Sequence, residues 1–272
     1  MDRALLIGIN AYPSGCGLRG CLDDIEDIKS TLLAGWDPNN IMSLLDNEAD
    51  TANMKDAMKR LADPSVEPGR RFFWYSGHGC TIPDPKRLEG YICAICPVDF
   101  SWDWIHQVTG QDFHDIFLVM RPECTLTMGS DSCHSGHLDF LRDKSMGMQM
   151  AWHGGLPTFI PRSYPIPVEV SIPKTAIPKS MHKDMPNHFS WSYISGCKDD
   201  ETSADACIAG RFNGAMTYAL LHAYHLNAHR DLIELSQDAH GWLNANGYSQ
   251  HPQADGDMVN TKPWFVPIPP VV

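Results

Sequence analysis

The chain has 272 residues, 43% of them hydrophobic, and a net charge of −12 at neutral pH. That length and apolar content suffice for a full core, and no run approaches the roughly 18 apolar residues that span a bilayer. The acidic balance argues against nucleic acid and favours basic partners. Nine cysteines, odd in number and scattered without a disulfide-like framework, suit a reducing compartment. Because Met1-Asp2-Arg3 runs directly into an apolar stretch rather than a signal peptide, the expected location is cytoplasmic, with no membrane contact.

In chain order, Ala4–Ile9 reads as a buried first strand, followed after a Gly/Pro loop by an amphipathic helix from about Asp23 to Leu33. Ile41–Leu45 is a second strand, and a helix over Thr51 to Leu61 leads to the aromatic run Arg70–Tyr75. Tyr91–Cys96 is an extended piece, a helix near Asp112 to Met120 follows, and Cys124–Met128 is a β-branched, apolar strand. After a Pro-rich stretch over 141–187 come a strand at Phe189–Ser195 and helices around Gly214–Asn227 and Asp231–Asn246. Such alternation predicts an α/β fold with a mostly parallel central sheet flanked by helices, and no internal repeat is present.

Two of these strands end in Gly/Ser turns that carry reactive groups: Ser76-Gly77-His78-Gly79 and Asp131-Ser132-Cys133-His134-Ser135-Gly136. In parallel sheets the ligand crevice lies outside the carboxyl ends of the strands, so neighbouring strands would bring His78 and Cys133 together. A cysteine is mostly protonated near neutrality, and a histidine that takes its proton makes it a nucleophile. His78 and Cys133 are therefore the candidate catalytic pair. Backbone N–H groups near Gly79 and Cys133 are the candidates for stabilising an oxyanion. No Asn or Asp stands out to orient His78; a backbone carbonyl is the alternative.

With those motifs the chain resembles the metacaspases, and more broadly the caspase-like cysteine peptidases. Leu18-Arg19-Gly20-Cys21-Leu22-Asp23-Asp24 is similar to the family's N-terminal loop, and the run from Ile194 to Asp205 to its small-subunit motif. Gly214–Leu220 and Gln250-His251-Pro252-Gln253 are weaker matches. The resemblance implies a caspase-like three-layer sandwich: a large-subunit-like part over 1–140, a linker over 141–187 and a small-subunit-like part over 188–272. It implies a cysteine endopeptidase, expected to be monomeric, acting on protein substrates with basic residues. Asp24 and Asp131 match the carboxylates with which metacaspases bind Arg or Lys before the scissile bond. The other reading of Asp24 is an acid stabilised by its helix dipole. The QACRG-type motif of animal caspases is absent, which argues against aspartate specificity.

Caspase-like enzymes place their subunit junction in the linker region, which makes Arg142, Lys144, Arg162, Lys174, Lys179 and Lys183 candidate self-cleavage sites. Many metacaspases are activated by calcium, for which Asp99, Asp112 and Asp139 are the candidate ligands; acids at helix starts and turns are the competing explanation. Cys93 and Cys96 lack a second CxxC, and Cys133, His134 and His137 lack a clear fourth ligand, so no transition-metal site is expected. The rival functional readings are a non-catalytic caspase-like scaffold and an aspartate-specific peptidase.

Overall fold

A computed structural model describes residues 1–13, 15–83, 91–102, 105–133, 152–153, 156–157, 159–164, 188–198 and 201–262. Its centre is a six-stranded sheet in the order β14-β11-β7-β3-β1-β2. The strands are β1 (Arg3–Gly8), β2 (Ile41–Leu45), β3 (Arg70–Ser76), β7 (Thr125–Asp131), β11 (Ser190–Ser195) and β14 (Gln253–Asp255). All neighbours pair in parallel except β14, which runs antiparallel to β11.

Alternation along the strands loads both faces of this sheet. Leu5 and Ile7 of β1 and Phe73 and Tyr75 of β3 join one core, whereas Ala4, Leu6, Phe72 and Trp74 join the other. Helices α2 (Thr51–Ala62) and α3 (Gly110–Phe117) cover the first face through Met54, Met58, Phe113 and Phe117. Helices α1 (Cys21–Leu32), α4 (Ala215–Leu226) and α5 (Leu232–Ala245) cover the second through Ile25, Ile28, Leu220, Leu235 and Leu243. The result is the three-layer α/β architecture that the sequence predicts.

Most boundaries shift by a residue or two, but two differences matter. The strand expected over Cys124–Met128 continues to Asp131, so Asp131 is the last residue of a paired strand. The helix expected from Asp112 starts at Gly110, because Thr109 caps it and Asp112 closes the reciprocal capping box.

Short strands, of which the sequence signals only the extended piece at Tyr91–Cys96, frame the upper edge of the sheet. β4 (Gly79–Pro83), β5 (Tyr91–Ile95) and β6 (Val108–Thr109) form one small antiparallel sheet. β8 (Trp152–His153) pairs with β9 (Leu156–Pro157), and β10 (Phe159–Pro161), β12 (Ala204–Ile208) and β13 (Arg211–Gly214) form a second three-stranded sheet. The β12–β13 turn uses Ala209 and Gly210, both at positive φ (52° and 85°), a geometry normally signalled by Asn-Gly. Ala209 hides the hairpin from sequence inspection.

Trp74 and Gly129 face each other across β3 and β7, and the indole lies over the glycine. A Cβ at position 129 would overlap the buried ring. Gly129→Ala is therefore expected to destabilise the fold by about 1–3 kcal/mol through overpacking, read as a lower urea midpoint with unchanged slope. A midpoint equal to wild type would show that the ring has room to move.

Candidate active site

The carboxyl ends of β1, β3, β7 and β11 open on one edge of the sheet, and the loops beyond them build a closed polar cavity around one side chain, that of Arg162. Its guanidinium is completely buried, as are the carboxylates of Asp24, Asp131 and Asp205 around it. Nη2 of Arg162 donates to Asp24 Oδ2 at 2.8 Å and to Asp205 Oδ1 at 3.0 Å. Nη1 donates to Ser76 Oγ at 2.7 Å and to the Asp131 main-chain oxygen at 2.9 Å, with the Asp131 carboxylate 3.5 Å away.

Each carboxylate is itself held. Asp24 Oδ1 accepts from the Gly214 N–H at 2.8 Å and Oδ2 from the Ser76 hydroxyl at 2.6 Å. Asp131 accepts from the Ser203 hydroxyl and from the Thr217 N–H and hydroxyl. Asp205 accepts from the Arg19 and Gly20 N–H groups. Burial, with the Asp131 charge adding to it and the guanidinium opposing it, pushes the Asp24 carboxyl up to about 7. Burial opposes the charged form of Arg162, but Cys21, Asp131, Asp24 and Asp205 more than offset it and hold its pKa well above the usual arginine value.

The Arg162 main chain is gripped as firmly as its side chain. β10 pairs antiparallel with β12, and the Arg162 N–H donates to the Ser203 carbonyl at 3.0 Å. The Arg162 carbonyl accepts from the N–H groups of Gly79 (3.0 Å) and Cys133 (3.4 Å), and the Tyr164 N–H donates to the Gly79 carbonyl at 3.2 Å. Residue 79 must be glycine for this approach, since a Cβ there would collide with the Cys133 carbonyl.

His78 and Cys133 flank that carbonyl. The Cys133 sulfur accepts from the Ser203 N–H at 3.1 Å. His78 Nε2 lies 2.6 Å from the Cys16 main-chain oxygen, which can only accept, so Nε2 carries the proton and Nδ1 the lone pair. Among the described residues Nδ1 has no hydrogen-bond partner. Burial, partly opposed by backbone oxygens of Cys16 and Arg162, lowers the imidazole pKa to about 4 and keeps the ring neutral at pH 7. Two tyrosines fix the peptide that bears it: Tyr12 Oη accepts the His78 N–H at 3.0 Å, and Tyr75 Oη donates to the His78 carbonyl at 2.6 Å.

His78, Cys133, Gly79, Asp24, Asp131 and Arg162 thus meet at one place. Sequence inspection missed Asp205, Ser203 and Thr217 as carboxylate or thiol partners, although all lie in the segments flagged for their resemblance. Gln250 belongs with them: its amide accepts from the Ala204 N–H and donates to the Gly196 carbonyl. The tyrosine clamp and the Cys16 carbonyl carry no sequence signal.

Other candidates lie apart. Asp99 accepts from the Thr51 N–H and hydroxyl, and Asp112 is occupied by Thr109 and by Lys55 Nζ at 2.8 Å. Among the described residues no three His, Cys, Asp or Glu side chains converge on a metal position. Asp139, Arg142, Lys144, Lys174, Lys179 and Lys183 lie outside the described residues. No described helix is long and apolar enough to cross a membrane.

A neutral imidazole and a cysteine gathered about one peptide carbonyl, above the carboxyl ends of parallel strands, are the residues of cysteine peptidases with the caspase-like fold. Residues 2–141 match the family described as metacaspase, peptidase C14 domain. Metacaspase-1 of Scheffersomyces stipitis is 32% identical over 92% of this chain and 69% of its own length. Metacaspase-1 of Schizosaccharomyces pombe is 30% identical over 92% and 66% respectively, so the chain spans about two thirds of these relatives. A crystal structure of a Geobacter sulfurreducens protein superposes with a TM-score of 0.68 over 97% of this chain and 98% of that one, at 19% identity, which speaks for the fold alone. The chain belongs to the metacaspase family, cysteine peptidases that hydrolyse peptide bonds.

The guanidinium stabilises the ionised form of Asp24, whereas burial and Asp131 favour the neutral form. Arg162→Gln removes the positive charge that opposes burial and Asp131, so Asp24 should titrate above 7 in that variant. The carboxylic C=O infrared band, assigned by its loss in Asp24→Asn, reads this directly. A midpoint that does not rise in Arg162→Gln would refute the charge coupling.

Proposed function

We propose that this chain is an endopeptidase that cleaves after Arg, and less efficiently after Lys, with Cys133 as nucleophile and His78 as base, and that its first substrate is its own bond between Arg162 and Ser163. The observation that carries the reading is the seating of Arg162. Its guanidinium fills a pocket of three carboxylates while its carbonyl faces two N–H donors beside the thiol. Asp24, Asp131 and Asp205 form the specificity pocket. A planar guanidinium can bond Asp24 and Asp205 and reach Ser76 at once, which a lysine ammonium on a thinner stem matches poorly.

In the proposed reaction, His78 Nδ1 takes the Cys133 proton and the sulfur attacks the carbonyl carbon after Arg162. The negative charge on oxygen is met by the Gly79 and Cys133 N–H groups. The imidazolium then returns the proton to the Ser163 nitrogen as the peptide bond breaks and a thioester forms. Water, deprotonated by the same imidazole, hydrolyses the thioester and regenerates the thiol. The Cys16 carbonyl keeps the imidazole in the required tautomer throughout.

The test compares wild type, Cys133→Ala and Arg162→Gln on a gel with mass spectrometry, alongside fluorogenic peptides ending in Arg, Lys or Asp, with calcium or chelator. The expected result is a cut after Arg162 in wild type and in neither variant, with peptide cleavage in the order Arg, Lys, Asp. Asp24→Asn should lower kcat/KM for Arg peptides by about 100-fold or more, the cost of leaving one partner of a buried charge cluster unpaired. Preferential cleavage after Asp, or cutting by Cys133→Ala, would overturn the proposal.

A further inference from the structure

Beyond the scissile bond the chain continues along Gly79, with which Ser163 forms a parallel bridge. Two residues past Arg162, the ring of Tyr164 enters an aromatic cleft. Its centroid lies 4.6 Å from Phe100, 5.6 Å from His78 and 6.0 Å from Tyr12. Trp102 extends the wall, 5.3 Å from Phe100. Burial in this cleft raises the Tyr164 phenol to about 12.

The walls are anchored independently of the segment they hold. Tyr12 is fixed by its hydroxyl bonds to Tyr75 and the Cys96 carbonyl, and Phe100 is buried in the core. The cleft is therefore built by the fold and is filled by Tyr164. Its edge-to-face and tilted ring geometries are those in which aromatic pairs gain energy beyond area burial.

We infer that Tyr12, Phe100 and Trp102 form a specificity subsite on the leaving-group side, which selects peptides with an aromatic residue two positions after the scissile Arg. This deepens the proposed function and rests on it. The substrate class becomes chains carrying Arg-Xaa-Tyr or Arg-Xaa-Phe, of which Arg162-Ser163-Tyr164 is the internal example. An aromatic ring at this position also caps His78 against water, which an alanine or aspartate there does not do.

The experiment has two arms. Internally quenched peptides Phe-Ile-Pro-Arg-Ser-Xaa, with Xaa Tyr, Phe, Ala or Asp, are assayed on the processed Tyr164→Ala protein, so that the chain's own ring does not compete. Tyr and Phe peptides are expected to exceed Ala and Asp peptides about tenfold in kcat/KM, and Phe100→Leu to shrink that ratio. In the second arm, self-cleavage of Tyr164→Phe should match wild type and that of Tyr164→Ala should be slower by a similar factor. Equal kcat/KM across the four peptides would overturn the subsite while leaving Arg cleavage standing. Failure to cleave any of them would instead overturn the Arg reading, and the subsite with it.

Discussion

One guanidinium holds the upper edge of this molecule together. Arg162 bonds α1 through Asp24, β3 through Ser76 and β12 through Asp205, and its Nη1 also reaches the Asp131 main chain at the end of β7. Isolated ionised groups do not survive burial, so each of these acids needs either a cation or several donors. The fold supplies both. Gly214 and Thr217, at the β13–α4 junction, donate to Asp24 and Asp131, and Arg19 and Gly20 donate to Asp205. Three carboxylates facing one guanidinium still leave excess negative charge, and burial, with the Asp131 charge adding to it, raises the Asp24 pKa.

The same economy governs the histidine. A ring as buried as His78 would wander between rotamers and tautomers without partners, yet among the described residues no Asp or Glu bonds to it. Fixation is instead transferred to the backbone: tyrosine hydroxyls take both sides of the His78 peptide, and a loop carbonyl takes Nε2. Burial then outweighs the Asp205 charge and the backbone oxygens of Cys16 and Arg162, and leaves the imidazole uncharged at neutral pH.

How much of this was readable in the sequence follows from what periodicity and composition encode. The central strands are apolar and the covering helices amphipathic, so the layered α/β plan and the strand-end placement of His78 and Cys133 could be derived before any coordinates. Asp24 and Asp131 came from family-like segments combined with charge logic. Arg162 was one of six basic residues in the linker, and the pairing of β10 with β12, which no sequence signal announces, is what places it among the carboxylates. Asp205 was invisible as a pocket residue because its role depends on a hairpin whose turn, Ala209-Gly210, lacks the usual residue at its first positive-φ position. Tyr12, Tyr75 and Cys16 act through a hydroxyl or a main-chain oxygen placed by tertiary structure. No residue spacing announces such contacts.

A segment tied to the body of the protein is not an ordinary competitor. A tethered ligand meets its site at an effective concentration on the order of millimolar, set by the length of chain that links them. A free peptide of comparable intrinsic affinity at micromolar concentration is therefore outcompeted by the tethered segment. On the proposed reading, the docking of residues 159–164 along β12 and Gly79 sets an order of events: intramolecular occupancy comes first, and affinity for other chains becomes observable once that tether is cut or withdrawn.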